Sequence, residues 1–392
     1  MTTATSGTAA ATGTGTAATG TLAITGFGVL SGAGPGPEAL AAAVAAAHPA
    51  PSDVSGMYEE PLPRQEAHAL LDFKVRDHLG RKGTSFFDRA TALGLVACKA
   101  ALADSDLVVD DGNRDRIGIT LGTTAGSAKS TSDYSRDTFT QDRPYLVNPL
   151  LFPNAVMNCT AGQAGIWFGL KGPNATVAGG SMAMHNALRY GRNLINCHYA
   201  DALLVGSVEE FSPHTAWAAH FGQSTGGGDL PAGEGAAVFV LERADEVRAA
   251  GRPMDAEVLA VEVGVFDPPG PDGTFAAGLE TCLRRALSRA GVEPGEVTTV
   301  ATAWSGMPLL DDAEEAAVTA VLGADVHRLR VKKATGEAFS ATGAFQVAAL
   351  LARHRGEPAR DGEISVITTR SAEGAAGAAV IRGWSRAGGH HG

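Results

Sequence analysis

After Arg252-Pro253 the chain starts again: a block of short apolar strands alternating with helices is followed by a second block of the same build. The first block opens at 22–31 with a short apolar run meeting a glycine-rich turn, then reads as strands at 116–122, 172–178, 202–206 and 235–241. Its helices lie at 36–48, at 88–104, and from the turn at 179–182 through Leu194. The second reads as strands at 256–264, 298–303, 364–368 and 378–382, with helices at 274–290, 312–322 and 342–354. Strand–helix alternation in two successive blocks predicts an α/β protein of two similar halves, because each sheet face must be covered by helices. The expected halves are 21–250 and 251–386. In the helix at 88–104, Leu93, Val96, Ala97, Ala100 and Ala101 recur near the helical period; Asp88 or Ser85 can cap its start and Asp104-Ser105 ends it. Residues 123–152 read as a long polar connection, and connections of that length are usually functional. The first twenty residues are Thr, Ala, Gly and Ser with almost no charge, which predicts a disordered tail. Residues 387–392 read as a flexible end; their two histidines are weak grounds for a metal site.

Composition narrows the function. The 392 residues carry a formal net charge of -11 without a basic run, which argues against nucleic acid as a partner. No apolar stretch approaches the roughly 20 residues that span a bilayer. Cys98, Cys159, Cys197 and Cys282 are scattered without Cys-x-x-Cys spacing. That predicts buried thiols in a reducing cytoplasm, with neither disulfides nor a metal centre.

Two local patterns bear on chemistry. Gly26-x-Gly28 begins like a dinucleotide fingerprint, but Ser31 stands where the third glycine belongs, so no cofactor is expected. At Gly179-Gly180-Ser181-Met182 a strand turns into a helix. Such an elbow presents one side chain at a helix N-terminus, where backbone N–H groups stabilise negative charge. Ser181 is the candidate there, with His185 one helical turn on. A serine–histidine dyad lacks an evident carboxylate to orient it, and a helix cap with a packed histidine is the plainer reading.

Several stretches together resemble the β-ketoacyl-acyl-carrier-protein synthase family, of thiolase fold. They are Ile24-Thr25-Gly26-Phe27-Gly28-Val29-Leu30-Ser31, Phe87-Asp88-Arg89-Ala90-Thr91, Arg116-Ile117-Gly118, and Phe152-Pro153-Asn154-Ala155-Val156-Met157-Asn158. Gly172-Pro173, Gly233-Glu234-Gly235-Ala236-Ala237-Val238 and Lys332-Lys333-Ala334-Thr335-Gly336 complete the set, in order, from about residue 21 to 385. The resemblance implies αβαβα layers and obligate dimerisation. It also implies a cysteine at the elbow that takes the acyl group and two histidines that stabilise the oxyanion and promote decarboxylation.

This chain departs at each of those positions. The elbow residue is Ser181 counting from Gly172-Pro173, or Gly180 counting back from His185-Asn186. The first histidine falls at Ala303, or at Trp304 with a slip of one, and the second at Glu337. Glu373 stands at the gating phenylalanine, and the block before Gly233 is shortened to a glycine-rich run. The family lysine is retained as Lys332. Without a thiol or a base, Ser181 is a poor acyl acceptor.

The pattern looks like a chain-length factor of a bacterial type II polyketide synthase: a ketosynthase-like subunit that pairs with the catalytic one and shapes the tunnel for the growing chain. The resemblance implies a catalytic ketosynthase subunit, an acyl carrier protein and the growing acyl chain as partners. It places tunnel or interface candidates at Ala128, Thr131, Ser135, Leu151, Phe152 and Asn154. The competing readings are an acyltransferase or malonyl decarboxylase using Ser181, and a homodimeric pseudo-enzyme that binds no substrate.

Overall fold

A computed structural model describes residues 20–46, 49–270 and 272–386. The tails expected at 1–20 and 387–392 lie outside the described residues, apart from Gly20. The first half supplies strands β1 (Leu22–Ser31), β2 (Ile117–Thr123), β3 (Asn174–Ala178), β4 (Ala202–Glu209) and β5 (Gly235–Arg243). The second supplies β6 (Ala256–Val265), β7 (Val297–Ala301), β8 (His327–Leu329), β9 (Ile364–Arg370) and β10 (Ala375–Gly383). The principal helices are α1 (Pro37–Ala45), α2 (Arg89–Asp104), α3 (Ala128–Thr140), α4 (Cys159–Phe168), α5 (Ala183–Asn196) and α6 (Pro213–Thr225). In the second half they are α7 (Thr274–Ala290), α8 (Pro308–Leu322) and α9 (Ser340–Gly356).

The strand order is β8-β7-β9-β10-β6-β1-β5-β4-β2-β3, so each half repeats the order third, second, fourth, fifth, first. The pairing senses repeat as well. The second strand of each half runs parallel to its third and fourth, and the remaining pairs are antiparallel. The halves join where Leu22–Ile24 pair antiparallel with residues 256–258.

Three apolar cores separate five layers of αβαβα type. Leu93 and Leu95 of α2 and Ala161 of α4 pack on Ile119, Leu204 and Val238 of the first sheet. Leu279 and Leu283 of α7 and Val318 of α8 cover Val366 and Val380 of the second. Between the sheets lie α5 and α9, whose Met184, Leu188, Phe345 and Leu350 share a core with Phe239 and Ile381. A helix covered on both sides must be apolar almost all round, and α9 is buried at nearly every position from Ser340 to Leu351. Gly26 and Gly28 have a packing role: a Cβ on Gly28 would lie 2.3 Å from the Ala97 carbonyl oxygen, so the glycines let β1 approach α2 closely. Arg355 holds Asp104 of α2 and Asp255 beside β6 and lies 4.2 Å from the Phe27 ring centre, tying the halves together.

The structure corrects the long polar connection. Residues 123–152 contain α3, a full helix, followed by helical turns at Pro144–Leu146 and Pro149–Ala155. Among the longer helices α4 and α6 also carried no expectation, as did the short helices Val75–Leu79, Ala244–Ala249 and Lys332–Thr335. Helix α6 begins with a visible signal, Ser212-Pro213 and a reciprocal Ser212–Thr215 capping box. The helix expected at 312–322 starts four residues earlier, at Pro308, where proline suits the first turn.

Candidate functional site

The elbow is set by strand β3 ending at Ala178 and helix α5 beginning at Ala183, with a tight turn Gly180–Met182 between them. Gly180 takes φ +50, and a Cβ added there would meet nothing within 4 Å. The apex of the turn is therefore a residue without a side chain, facing open space. Ser181 is engaged by hydrogen bonds: its hydroxyl donates to the Arg370 carbonyl at 2.7 Å, and its own carbonyl accepts from Thr369. His185 is fully buried, with Nε2 3.3 Å from the Ile367 carbonyl. Burial pushes its pKa down to about 4. Ser181 and His185 share no hydrogen bond, and the dyad is absent.

Gly180 and Ser181 open onto a cavity of about 610 Å³. Ala303, Lys332, Glu337 and Glu373 line the same cavity, so the structure gathers every degenerate position read from the sequence into one place. Trp304 lies outside it, with its ring centre 5.7 Å from the Arg330 guanidinium and 5.2 Å from the Lys333 ammonium. This decides between Ala303 and Trp304 as the side chain that faces the cavity.

The wall charges neutralise one another. Lys332 Nζ lies 2.6 Å from Glu337 Oε2, and the other carboxylate oxygen accepts from the Phe339 backbone N–H at 2.9 Å. Both side chains are buried. Arg370, also buried, pairs with Asp311 and with Glu314. Glu314 in turn accepts from the Ala303 backbone N–H at 2.8 Å, which fixes the loop carrying Ala303. Glu373 sits exposed at the hairpin between β9 and β10. Among the described residues no cysteine or histidine lines the cavity. Among the described residues no group of three or more side chains is arranged to hold a metal ion.

Sequence reasoning missed Gln223, Met307 and Phe339, which also line the cavity. Gln223 and Met307 frame the glycine-rich run, where a Cβ on Gly226 would lie 2.4 Å from the Met307 sulfur. Among the described residues Phe339 is one of two non-glycine residues with positive φ, at +41. Backbone strain of this kind concentrates at sites a fold holds for function, and no composition signal announces it.

The six tunnel candidates lie apart from this cavity. Ala128, Thr131 and Ser135 follow one another along α3, and Leu151, Phe152 and Asn154 sit in the segment packed beside it. Thr131 donates to the Ala155 carbonyl at 3.1 Å, and the Tyr134 and Phe152 rings are 5.8 Å apart. They form one surface unit in which Thr131, Ser135 and Phe152 are exposed, Phe152 by 54%, and Ala128, Leu151 and Asn154 are half-buried. Among the cysteines, Cys98, Cys159 and Cys282 are buried as expected, but Cys197 is exposed. Among the described residues no helix is long and apolar enough to cross a membrane.

Comparison with known proteins places this architecture. The model of the β-ketoacyl synthase N-terminal domain matches residues 20–224, and that of the C-terminal domain matches 269–356. The chain belongs to the β-ketoacyl synthase family. Within it, the chain is similar to 3-oxoacyl-[acyl-carrier-protein] synthase 2 of Staphylococcus aureus strain N315, 26% identical over 310 residues, covering 73% of this chain and 74% of the relative. Among solved structures, the ishigamide ketosynthase/chain length factor is similar, with 34% identity and a TM-score of 0.83, over 93% of this chain and 100% of that one. A type II polyketide synthase ketosynthase solved with its acyl-carrier protein shares the fold at 16% identity and a TM-score of 0.74, over 93% and 99%. The β-ketoacyl synthase fold thus positions an elbow and a cavity here, but with Gly180, Ala303 and the Lys332–Glu337 pair around it.

Proposed function

We propose that this chain is the non-condensing, chain-length-factor subunit of a type II polyketide synthase. It pairs with a cysteine-bearing ketosynthase and contributes part of the tunnel that holds the growing chain. The observation that carries the reading is Gly180, a residue with no side chain at the apex of a turn that faces an open cavity. Condensation needs a nucleophile there, because the acyl group must be held covalently while the extender is decarboxylated beside it. It also needs aimed donors for the developing enolate. Ala303 offers neither, and Glu337 has its carboxylate engaged by Lys332 and the Phe339 N–H. The likeness to a ketosynthase/chain length factor at 34% identity supports the same assignment.

The surface supports a partner. Strand β3 ends the sheet with a free edge. The flanking segments expose Ile166, Phe152 and Met157, apolar side chains of the kind a stable interface covers. The acyl carrier protein and the growing acyl chain follow as the remaining partners of such a complex. The reading that Ser181 is itself acylated gains no support, since its hydroxyl is turned onto the Arg370 carbonyl and no base reaches it.

Co-expression with the companion ketosynthase tests the proposal. The pair is expected to co-purify and to elongate malonyl units on an acyl carrier protein. Activity should vanish when the companion's elbow cysteine is replaced by alanine. Elongation by this chain without a companion would falsify the proposal.

A further inference from the structure

The sequence runs against its own charge in one place. The chain is acidic overall, yet His327, Arg328, Arg330 and Lys333 fall within seven residues. The fold brings Arg353 of α9 to the same site. Here α1, β8, the turn Lys332–Thr335 and the end of α9 enclose a groove of about 640 Å³ whose lining is separate from that of the elbow cavity. Its floor is apolar, formed by Val44, Leu329, Ala349 and Ala352. Its rim carries the five basic side chains.

Most of this positive charge is uncompensated. Arg328 is engaged by Glu315 at 2.7 Å. Arg353 donates to the Thr299 hydroxyl at 2.8 Å, which leaves its charge unpaired. Arg330 and Lys333 are held over Trp304, and neither has a carboxylate partner among the described residues. Glu357, the one acidic residue on the rim, is bound to Arg360. Burial, with Arg353 and Arg360 beside it, holds the His327 pKa below its ordinary value. A concave, apolar-floored space of this size is typical of a small-molecule site. Clustered cations above it favour an anionic head through charge-assisted hydrogen bonds.

We propose that this groove binds an amphiphilic anion, an apolar chain ending in a phosphate or carboxylate, with the chain on the Val44–Ala352 floor and the head between Arg330, Lys333 and Arg353. The inference is independent of the reading of the elbow cavity, since the two sites share no lining residue. A flat acidic protein surface is the poorer fit, because it would meet the rim and leave the apolar floor empty.

Calorimetry on the full chain, in the assembly in which it purifies, tests this with dodecyl phosphate as probe and dodecanol and inorganic phosphate as comparators. Dodecyl phosphate should bind, with both comparators weaker by about tenfold or more. Arg330→Ala/Lys333→Ala should lower affinity by a similar factor and remove most of its salt dependence. Ala45→Phe, an exposed helix position at the groove wall, should block binding while leaving thermal unfolding unchanged. Equal binding of dodecanol and dodecyl phosphate would overturn the proposal, as would undiminished binding in both variants. Capture of an acidic carrier protein through Arg330 and Lys333, with no binding of dodecyl phosphate, would overturn it too.

Discussion

Gly180 and Ser181 are adjacent in the chain and both line the cavity, yet they differ in engagement. A Cβ on Gly180 would meet open space, whereas the Ser181 hydroxyl is held by a hydrogen bond to the Arg370 carbonyl. Cysteine scanning exploits that difference. Gly180→Cys is expected to be alkylated by iodoacetamide and acylated by an acyl thioester, and Ser181→Cys to react far more slowly under the same conditions. The reverse order would move the apex to Ser181. The Lys332–Glu337 pair gives a second prediction. Removing one member of a buried ion pair strands the other charge, so Glu337→Ala should cost about 3 kcal/mol in denaturant unfolding, while Lys332→Met/Glu337→Leu should recover most of that loss. Two buried carboxyls beyond the cavity give a third. Burial is the main cause that raises Glu209 and Glu210 from 4.5 to about 7. Hydrogen bonds from Thr124, Ser127 and Ser340 offset only part of it. The folded state favours their protonated forms. Their contribution to stability is therefore full below the unfolded carboxylate value and is lost as pH rises through about 7. Glu209→Gln should flatten the decline of stability across that window, measured by thermal unfolding at several pH values. At this scale the family motifs picked out Ser181, Ala303, Glu337 and Glu373, which line one cavity. The choice between Gly180 and Ser181 was not legible, because two anchors count to different residues and only a backbone angle decides.

Helix α3 was invisible in the sequence for a physical reason. Its residues, AKSTSDYSRDTFT, have no apolar stripe, and none of them is fully buried, so hydrophobic periodicity has nothing to report. Polar contacts hold it instead. Ser127 caps its N-terminus, the Glu210 carboxylate accepts from the Lys129 N–H at 3.0 Å, and Lys129 pairs with Asp133 one turn on. Loss of the cap in Ser127→Ala should cost about 1 kcal/mol. By contrast α2 was legible in full, cap and stop included, because it carries an apolar face against the first sheet. The exposure of α3 is itself informative. A helix with no fully buried residue in its own chain is well placed to be covered by another. If α3 forms tunnel wall in the assembled pair, Ala128→Phe or Thr131→Trp should shorten the products of the heterodimer. Unchanged chain length in both variants would remove α3 from the tunnel.

The two halves repeat strand order and pairing sense almost element for element. The alternation that restarts after Arg252-Pro253 made two halves of similar build legible, but neither the order nor the sense of the strands. What sequence alone could not give was the convergence of loops from both halves. Gly180 follows β3 of the first half, whereas Ala303, Glu337 and Glu373 come from loops of the second, and they meet only when the sheets stack. A cavity built between halves survives when its reactive groups are replaced, because α5 and α9 hold it from the buried middle layer. Under the proposed function, architecture and chemistry are separate: the whole molecule keeps a synthase cavity, and the nucleophile is proposed to come from a companion. The most direct measurement is intact-protein mass spectrometry of the reconstituted pair after incubation with acyl-loaded carrier protein. The account predicts an acyl adduct on the companion's cysteine and an unmodified mass for this chain. A stoichiometric acyl adduct on this chain, at Ser181 or elsewhere in the cavity, would contradict it.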